Sequence, residues 1–540
     1  MKKSPFIIIS SSENVQEGYK DLDINRIELY RHLVQLRMVY YENGFRTHLD
    51  VLNRIYFGKY FSEASYSERR KFFSIWNMPS LNGILSIQHL LMEGVECNII
   101  NDFDAEYDVL KNLLSDTDIQ IVGISTTFIL QWSEIKRITK QILKDFPYVI
   151  FILGGAFVHN QNRMKGFASF EKSMKKYGIR FILHGNDADT AIVQIYNTLI
   201  NKQSEFGSIK NLVYLDDQGV FHNNRCHDVA QNPWFDPEVF RRSISIFHNN
   251  IIQLRVSIGC PFKCAFCSYP SMASQFQCSE NDFIEKTLIT LEDAGIKNLV
   301  FIDDTLNASR RFFSTLLERL NNHNFKWYAF LRAQFITDEI AAEMADSGCD
   351  GVYLGLESGD NDILMRMNKK ANIGNYEKGI ESIKKHGITT FASFIVGFPM
   401  ETENTINNTI NFINRSGLDY YSLKEFYYLH NSPVHLQRGK YGLEGEGFKW
   451  IHETMSSDEA SRMKLYMHDK INNCLYVDSD LGLWYLIYLR SRSFSWEQIS
   501  YYQHIIDKIT REDNLSCFSH SSDISEQLRN IKDMVVIDDD

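Results

Sequence analysis

Apolar residues along this chain form short continuous runs, and stretches of helical period separate one run from the next. In the first 240 residues the runs fall at 6–10, 96–102, 119–125, 148–155 and 179–185, with helices predicted at 82–94 and 133–146. Runs of Val, Ile and Leu between helices are typical of a parallel sheet that helices cover on both faces. The pattern therefore predicts an α/β domain, in which the polar and aromatic segment near 13–75 is a helical insertion.

A second series of strand and helix patterns follows a proline-rich segment. Four of the nine prolines lie between residues 233 and 270, and residues 232–238 are interpreted as a linker. The strands that follow are predicted at 251–257, 298–304, 326–333, 351–358, 390–398 and 420–429, and the chain from about 446 is mainly helical. Six β/α units in a row predict a partial or full α/β barrel. We expect three domains, at residues 1–235, 236–445 and 446–540.

The composition is ordinary for a folded protein of several domains, and it disfavours two classes of partner. The 540 residues are 44% hydrophobic and 23% charged. A net charge of −11 without a long basic run disfavours nucleic acid, whose phosphates must be neutralised by a basic patch. No apolar run reaches the ~18–20 residues that a membrane span needs. Nine unevenly spaced cysteines do not suggest a disulfide framework, so a reducing cytoplasm is expected.

Three of the cysteines lie within eight residues of one another, directly after the first barrel strand. Cys260, Cys264 and Cys267 have the spacing C-x3-C-x2-C. A structural zinc site needs four ligands, and no second C-x2-C pair exists in the chain. A [4Fe–4S] cluster held by three thiolates leaves one iron open for a substrate or cosubstrate. The alternative is a chance group of buried cysteines.

The cysteine spacing after a first barrel strand resembles the radical S-adenosylmethionine (SAM) superfamily, over roughly residues 245–445. The resemblance implies that SAM chelates the open iron, and that one-electron reduction cleaves it to a 5′-deoxyadenosyl radical. An electron donor such as flavodoxin or ferredoxin is implied as a partner. Phe266, just before the last cysteine, matches the aromatic residue that contacts adenine in this family.

The ends of the next three strands extend the resemblance. Asp304 belongs to FIDDT at the end of the second strand, where it would accept from the SAM ammonium or cap the next helix. Arg332 ends the third strand and is a further candidate SAM contact. Glu357 lies in LGLESGD, which matches the family's fourth-strand signature, and its carboxylate suits the two ribose hydroxyls.

The fifth strand carries a variant of the family's G-F-P-G-E-T signature. The segment FIVGFPMET contains Gly397 and Pro399, which would let the backbone approach adenine. Met400 replaces the second glycine of the signature. Taken with the other three signatures, in the family's order, this segment predicts a SAM site at the barrel mouth.

An α/β domain before such a barrel resembles the cobalamin-binding Rossmann-like domain of the B12-dependent members. The implied fold is this domain, then a partial (β/α)6 radical SAM barrel and a helical C-terminal segment. The chain has HGND where the family commonly has G-E-G-E. It has no D-x-H motif, which supplies an axial histidine to cobalamin in the mutases. The alternative is an α/β domain that has lost its ligand. The implied cobalamin-binding residues are Asn82, Ser125, Thr126, Thr127, Gly154, Gly155 and Gly185.

The expected function is methyl transfer to an unactivated carbon through a 5′-deoxyadenosyl radical and methylcobalamin. A non-methylating enzyme with the same cofactors, catalysing cyclisation, ring contraction or epimerisation, stays open. A methylthiotransferase is disfavoured, because only Cys97 and Cys226 precede the triplet and the tail is acidic. A non-catalytic sensor is also disfavoured by the retained SAM signatures.

The sequence does not identify the substrate or a catalytic residue. A small molecule, a peptide or a lipid intermediate is compatible with the chain. His430, His435 and Trp450 fall near the barrel mouth and are candidates for substrate contact, although isolated histidines and tryptophans are more often packing residues.

Overall fold

The structure is a computed structural model of the chain. It describes residues 5–12, 36–42, 44–64, 68, 72–78, 80–129, 131–184, 188–201, 205–224, 234, 236–238, 250–269, 276–479 and 482–514. Contacts divide the chain into a first unit of Met1–Gly18 with Phe57–Gln253, and a second unit of Tyr19–Tyr56 with Leu254–Asp540. Within the described part, no helix combines the length and the apolar character that crossing a bilayer requires.

The strands are numbered in chain order through both units. They are β1 (Phe6–Ile9), β2 (Val39–Tyr41), β3 (Gly44–Arg46), β4 (Cys97–Ile100), β5 (Ile121–Ser125), β6 (Ile150–Gly154), β7 (Ile179–Leu183), β8 (Leu212–Leu215), β9 (Phe221–Asn223), β10 (Ile251–Leu254), β11 (Ser257–Ile258), β12 (Gln277–Cys278), β13 (Asn298–Phe301), β14 (Lys326–Leu331), β15 (Cys349–Glu357), β16 (Thr389–Val396), β17 (Tyr420–Glu425), β18 (Glu444–Glu446), β19 (Lys449–His452), β20 (Met455–Ser456) and β21 (Leu475–Tyr476).

The helices are numbered in the same way. They are α1 (His48–Phe57), α2 (Lys59–Glu63), α3 (Leu81–Met92), α4 (Tyr107–Ser115), α5 (Trp132–Asp145), α6 (Ala156–Lys165), α7 (Ala168–Tyr177), α8 (Ala188–Asn201), α9 (Asn281–Asp293), α10 (Arg310–Leu320), α11 (Asp338–Asp346), α12 (Asn361–Arg366), α13 (Ile373–Lys385), α14 (Glu403–Arg415), α15 (Arg438–Tyr441), α16 (Ser457–Lys470), α17 (Leu483–Ser491) and α18 (Trp496–Asn514).

The first unit contains a seven-stranded sheet with the order β4-β1-β5-β6-β7-β8-β9. Its first five strands pair in parallel, and all five coincide with strands that the sequence predicts. Strands β8 and β9 add an antiparallel hairpin that the sequence reading missed. The turn between them is closed by Asp216, whose carboxylate accepts from the backbone N–H groups of Gln218 and Val220 at 3.0 and 2.8 Å.

A second sheet has the order β10-β13-β14-β15-β16-β17-β21 and is parallel from β13 onward. Its strands from β13 to β21 belong to the second unit. The first six strands are those that the sequence predicts. The order has two ends, as in a partial barrel, so the predicted fold class is confirmed. The seventh strand, β21, was missed because it is only two residues long.

The C-terminal helices pack on one face of this sheet. Phe330, Tyr353, Phe391 and Tyr420 occupy neighbouring register positions on four strands, and we call the surface they form the aromatic face. Rings of Trp484 in α17 and Trp496 in α18 lie 6.2 and 6.0 Å from those of Phe330 and Tyr420. The described part of 446–540 therefore belongs to the same compact unit as the barrel strands.

The insertion predicted near 13–75 contains more than helices. Residues 13–35 lie outside the described part of the chain. The remainder includes the hairpin of β2 and β3 as well as α1 and α2, and the described residues between 36 and 56 cluster with the second unit. Each strand of this hairpin has only three residues. An alternating pattern this short does not stand out within a segment whose overall period is helical.

Candidate active site

The three cysteines of the triplet lie on one loop that follows β10 and β11. All three thiols are free; Cys264 is buried, whereas Cys260 and Cys267 are partly exposed. The backbone N–H of Ala265 donates to the Met367 carbonyl at 2.8 Å, so the loop is tied to the end of α12. The loop thus holds its thiols at the carboxyl edge of the parallel strands, where ligands bind in such sheets.

A buried carboxylate fixes the start of this loop. Asp303, directly after β13, accepts from the Val256 backbone N–H at 3.1 Å and from the Ser257 hydroxyl at 2.6 Å. It also accepts from the Ser257 backbone N–H. Burial raises the pKa of Asp303 to about 6, and the hydrogen bonds from Ser257 oppose that rise. Asp303 is a positioning residue that the sequence reading missed.

An arginine faces the central thiol. The Arg332 guanidinium donates from Nη2 to Cys264 Sγ at 3.1 Å and from Nη1 to the Lys369 carbonyl at 2.8 Å. Its central carbon lies 3.5 Å from the centroid of the Phe262 ring, a cation–π contact. The structure therefore places Arg332 against the cysteine loop, as a donor to a sulfur that would ligate iron.

The thiols do not form the compact set that a single metal ion requires. Among the described residues, no group of three or more His, Cys, Asp or Glu side chains is placed to hold a metal ion. Yet Cys264 and Cys260 both act electrostatically on Cys267, whose pKa is raised to about 11 chiefly by burial. Three free thiols on one loop could each ligate one iron of a [4Fe–4S] cluster.

Glu357 lies next to the cysteine loop at the end of β15. Lys369 Nζ donates to Glu357 Oε1 at 3.0 Å, and both side chains are nearly buried. The same ammonium lies 5.9 Å from the centroid of the Phe266 ring. Glu357 adopts φ = 70°, a left-handed conformation that an L residue rarely holds without a packing or functional reason. The predicted residues Phe266 and Glu357 therefore both lie near the Lys369 ammonium.

Asp304 offers a carboxylate oxygen without a partner. Its Oδ2 atom is shielded from solvent and accepts no hydrogen bond from the described residues. Burial raises the pKa of Asp304, against a hydrogen bond from Tyr269. The alternative role as a helix cap is not observed, because the cap of α10 is Ser309, whose hydroxyl accepts from Phe312 N–H. An unsatisfied buried acceptor fits an ammonium group.

The turn after β16 is filled by protein side chains. Gly397 has φ = 89°, and a Cβ there would lie 2.5 Å from the Trp450 ring and 2.7 Å from Ala460. Trp450 is 4% exposed, and its indole N–H donates to the Phe426 carbonyl at 2.8 Å. The close approach at Gly397 is thus made by Trp450, one of the candidates for substrate contact, and these contacts are those of a packing residue.

The remaining residues of this turn are buried or strained. Pro399 is buried, and Met400, which replaces a glycine of the family signature, has φ = 74°. Burial raises the pKa of the neighbouring Glu401 to about 8, and its carboxylate accepts from the Gly397 N–H at 2.5 Å. The turn keeps the conformation that the missing glycine would have favoured.

His430 and His435 lie together beyond β17. Their ring centroids are 4.7 Å apart, and His435 Nδ1 is 2.7 Å from the Tyr428 hydroxyl. Desolvation lowers the pKa of His435, with smaller effects from Arg438 and His430. Both remain candidates for substrate contact.

The first unit brings the predicted cobalamin residues to the carboxyl edge of its own sheet. The Asn82 amide donates to the Ser125 hydroxyl, and Thr126 donates from its backbone N–H and its hydroxyl to the Gly154 carbonyl, at 2.7 and 2.8 Å. Gly155 is exposed with φ = 115°, and a Cβ there would lie 3.0 Å from Thr126 N. Thr127 is half-buried in the following turn, and Gly185 lies outside the described residues.

One further feature at this edge was missed from the sequence. Ser10, directly after β1, has a buried hydroxyl without a hydrogen-bond partner in the described chain. A Cβ on Gly83 would lie 2.2 Å from that hydroxyl oxygen. A buried unsatisfied hydroxyl beside a polar, glycine-lined edge fits a nucleotide-bearing ligand.

Lys369 is the main residue of the barrel site that the sequence reading overlooked. It lies in the NDILMRMNKK segment, which directly follows the fourth-strand signature. Its position in the sequence, twelve residues after Glu357, was the available signal. That position does not reveal that the Lys369 ammonium lies 3.0 Å from the Glu357 carboxylate in the folded chain.

Comparisons with known proteins agree with this geometry. The Radical SAM superfamily domain matches residues 254–413. The chain is 33% identical over 357 residues to an uncharacterized methyltransferase of Pyrococcus horikoshii, across 63% of this chain and 74% of that protein. It is 30% identical over 179 residues to the bacteriochlorophyllide d C-12(1)-methyltransferase of Chlorobaculum tepidum, across 32% of this chain and 39% of that protein.

The fold extends this similarity beyond the barrel. The cobalamin-dependent S-adenosylmethionine radical enzyme OxsB, solved with aqua-cobalamin bound, matches 98% of this chain and 84% of its own. The TM-score is 0.56 at 14% identity, so this comparison bears on the fold alone. From the cysteine loop, the ordered strand-end residues and the relative from Pyrococcus horikoshii, it follows that this chain belongs to the radical SAM superfamily.

Proposed function

We propose that this protein is a cobalamin-dependent radical SAM methyltransferase that methylates an unactivated carbon of a small molecule or peptide. The single observation that carries the proposal is the loop of three free thiols beside the unsatisfied Asp304 and the buried Glu357. The names of the two methyltransferase relatives support methyl transfer as the reaction. The protein would act in the cytoplasm with a flavodoxin or ferredoxin as electron donor.

The residues present fit the groups that this function requires. Cys260, Cys264 and Cys267 would hold a [4Fe–4S] cluster, and three thiolates leave one iron open for SAM. The chemistry that these groups supply when bound is one-electron cleavage of SAM and delivery of a methyl group from cobalamin. The remaining task of the chain is to bind, orient and shield the reacting partners.

The strand-end residues would each have a part in binding SAM. Asp304 would accept a hydrogen bond from the amino group through its unsatisfied oxygen. Glu357 would accept from the two ribose hydroxyls beside its 3.0 Å ion pair with Lys369. Phe266 provides an apolar surface for adenine, and Arg332 donates to Cys264 Sγ, which offsets negative charge at the thiolate.

The first unit would bind cobalamin at the carboxyl edge of its sheet. Ser10 and Ser125 provide hydroxyl groups, and the exposed backbone at Gly155 allows a bulky ligand to approach. The likeness of the fold to that of OxsB supports this assignment.

A direct test uses anaerobic reconstitution with iron, sulfide and cobalamin, followed by desalting. We expect the absorbance of cobalamin to stay with the protein. After reduction of the bound cobalamin to cob(I)alamin with titanium(III) citrate, we expect label from methyl-labelled SAM to appear in the cobalamin fraction, with S-adenosylhomocysteine as the other product. A double substitution, Ser125→Leu with Gly155→Leu, should release cobalamin and leave the iron content unchanged. Cobalamin that is lost on desalting from the wild type would contradict the assignment of the first unit.

A second candidate function uses the same cofactors without methyl transfer. No contact described above separates cyclisation, ring contraction or epimerisation from methylation, because all need the same SAM and cobalamin sites. The mass of the product distinguishes them: methylation adds one CH2 group, and the other reactions do not.

A further inference from the structure

A cluster of three cations lies around one carboxylate in the second unit, apart from the cysteine loop. Lys424 belongs to β17, Lys464 to α16, and Arg37 to the turn before β2, whereas Asp478 follows β21. These four residues are distant in sequence, and we call them the lysine–arginine cluster. No local sequence motif indicates a role for any of them.

Asp478 is the centre of this cluster. Its side chain is 1% exposed, and its carboxylate forms ion pairs with Arg37 Nε at 3.3 Å and Lys464 Nζ at 3.7 Å. It is also paired with the Lys424 ammonium and accepts from the Tyr476 hydroxyl at 3.3 Å. One carboxylate is therefore shared by three cationic side chains.

The charges of the cluster do not balance. Among the described residues, the electrostatic causes for Lys464 include one carboxylate, Glu425, which raises its pKa. When all three cations of the cluster are protonated, they exceed the described carboxylates Asp478 and Glu425 by one positive charge. Burial lowers the pKa of Lys424 to about 7 and that of Lys464 to about 8, and Arg37 is the second cause of each shift. Placing several positive charges this close together costs free energy unless an anion binds beside them.

The cluster is open to a ligand at the carboxyl end of the strands. Lys424 lies four residues after Tyr420 in β17, so the two-residue period of a strand places it on the aromatic face. Its side chain remains 44% exposed although burial lowers its pKa, as expected for a group that lines a hollow. Only β16 separates β17 from β15, which ends at Glu357, and two strand spacings are about 10 Å.

We propose that Arg37, Lys424 and Lys464 bind an anionic group of the substrate, a carboxylate or a phosphate. This inference rests on the proposed function, because it takes the barrel mouth as the place where the substrate binds. An anion there would offset the excess positive charge, and its position about two strands from Glu357 would keep the rest of the substrate near the bound SAM.

The first experiment measures anion binding by the full chain without cluster, SAM or cobalamin. Thermal unfolding is followed in sodium phosphate, acetate or chloride at constant ionic strength. We expect a saturating rise of Tm with phosphate or acetate and none with chloride, and the effective anion identifies the substrate group. Lys424→Met should raise the half-saturating concentration about tenfold, since one charge-assisted hydrogen bond is lost.

The matched control is Lys440→Met, which removes an exposed lysine of α15 in the same unit. This variant should keep the wild-type response. Equal Tm values in phosphate, acetate and chloride would overturn the proposal. So would loss of the phosphate effect when SAM is added, because the cluster would then bind the carboxylate of SAM.

Asp478→Asn separates an anion site from a purely structural ion-pair network. With the competing carboxylate removed, the proposal predicts that phosphate or acetate binds more tightly than in the wild type and restores the Tm that the substitution costs. A structural network predicts a fall in Tm that no anion restores, and this result would overturn the proposal. Because no cofactor is present, this outcome is independent of whether the protein transfers methyl groups.

Discussion

At the scale of the residue, the cysteine loop shows how one side chain can tune a cofactor site. Arg332 donates to Cys264 Sγ at 3.1 Å and is itself held by the Phe262 ring and the Lys369 carbonyl. Hydrogen bonds and positive charge at a ligating sulfur favour the reduced form of an iron–sulfur cluster. The position of Arg332 after β14 was predictable from the sequence, whereas its direction toward the thiol was not.

We predict that Arg332→Met makes the reconstituted cluster harder to reduce. The substitution removes the donor to Cys264 and keeps an apolar side chain against Phe262. An anaerobic redox titration followed by EPR should show a midpoint potential more negative than that of the wild type. Arg310→Met, at an exposed position, serves as the control, and a shift of equal size in both variants would contradict the role of Arg332.

Met400 carries strain at a position where the family signature has glycine. Its φ of 74° lies in the left-handed region, which costs an L residue about 1–2 kcal/mol. We therefore expect Met400→Gly to leave the free energy of unfolding unchanged or to raise it by about 1 kcal/mol, whereas Met400→Val lowers it. Urea unfolding at constant pH measures the free energy of unfolding of both variants. A large decrease in that free energy for the glycine variant would contradict backbone strain at Met400.

Glu401 predicts a dependence of stability on pH. Its pKa is raised by burial from 4.5 to about 8, so the folded state binds the proton more tightly than the unfolded state. The stabilisation is complete below about pH 4.5 and is lost as the pH rises to about 8. In urea unfolding, Glu401→Gln should lack this loss across that pH window. An unchanged pH profile in the variant would assign the effect to other groups.

At the scale of the element, strand length decided what the sequence could predict. The long strands, such as β15 and β16, were predicted because eight or nine residues rich in aliphatic and aromatic side chains give a clear pattern. Strands β9 and β21 were missed, because runs of two or three residues carry little periodic signal. The place of β21 beside β17 depends on pairing of Leu475 with Tyr420, which no local pattern indicates.

Helix α17 provides a prediction at this scale. Its Leu486 is fully buried and belongs to the second unit, whereas Leu436 is 84% exposed in the same unit. Leu486→Ala should lower the free energy of unfolding by about 2–5 kcal/mol, as for other buried leucines, and Leu436→Ala should change it little. Urea unfolding of the two variants gives the comparison. Equal effects would mean that α17 is not part of the barrel core.

At the scale of the whole molecule, the two α/β units and their order could be derived from the sequence. The candidate site could be derived only in part. Motif residues such as Cys264 and Glu357 have a local sequence context that identifies them. The lysine–arginine cluster does not, because Arg37 and Asp478 are 441 positions apart and meet only in the folded chain.

The central claim is that three thiolates hold a [4Fe–4S] cluster whose open iron binds SAM. The measurement that tests it most directly is the formation of 5′-deoxyadenosine from SAM by the reduced, reconstituted protein under anaerobic conditions. We predict that the wild type forms 5′-deoxyadenosine, and that Cys264→Ala, purified in parallel, forms none. A wild-type protein that contains four irons but leaves SAM intact, or one that holds zinc in their place, would contradict the account.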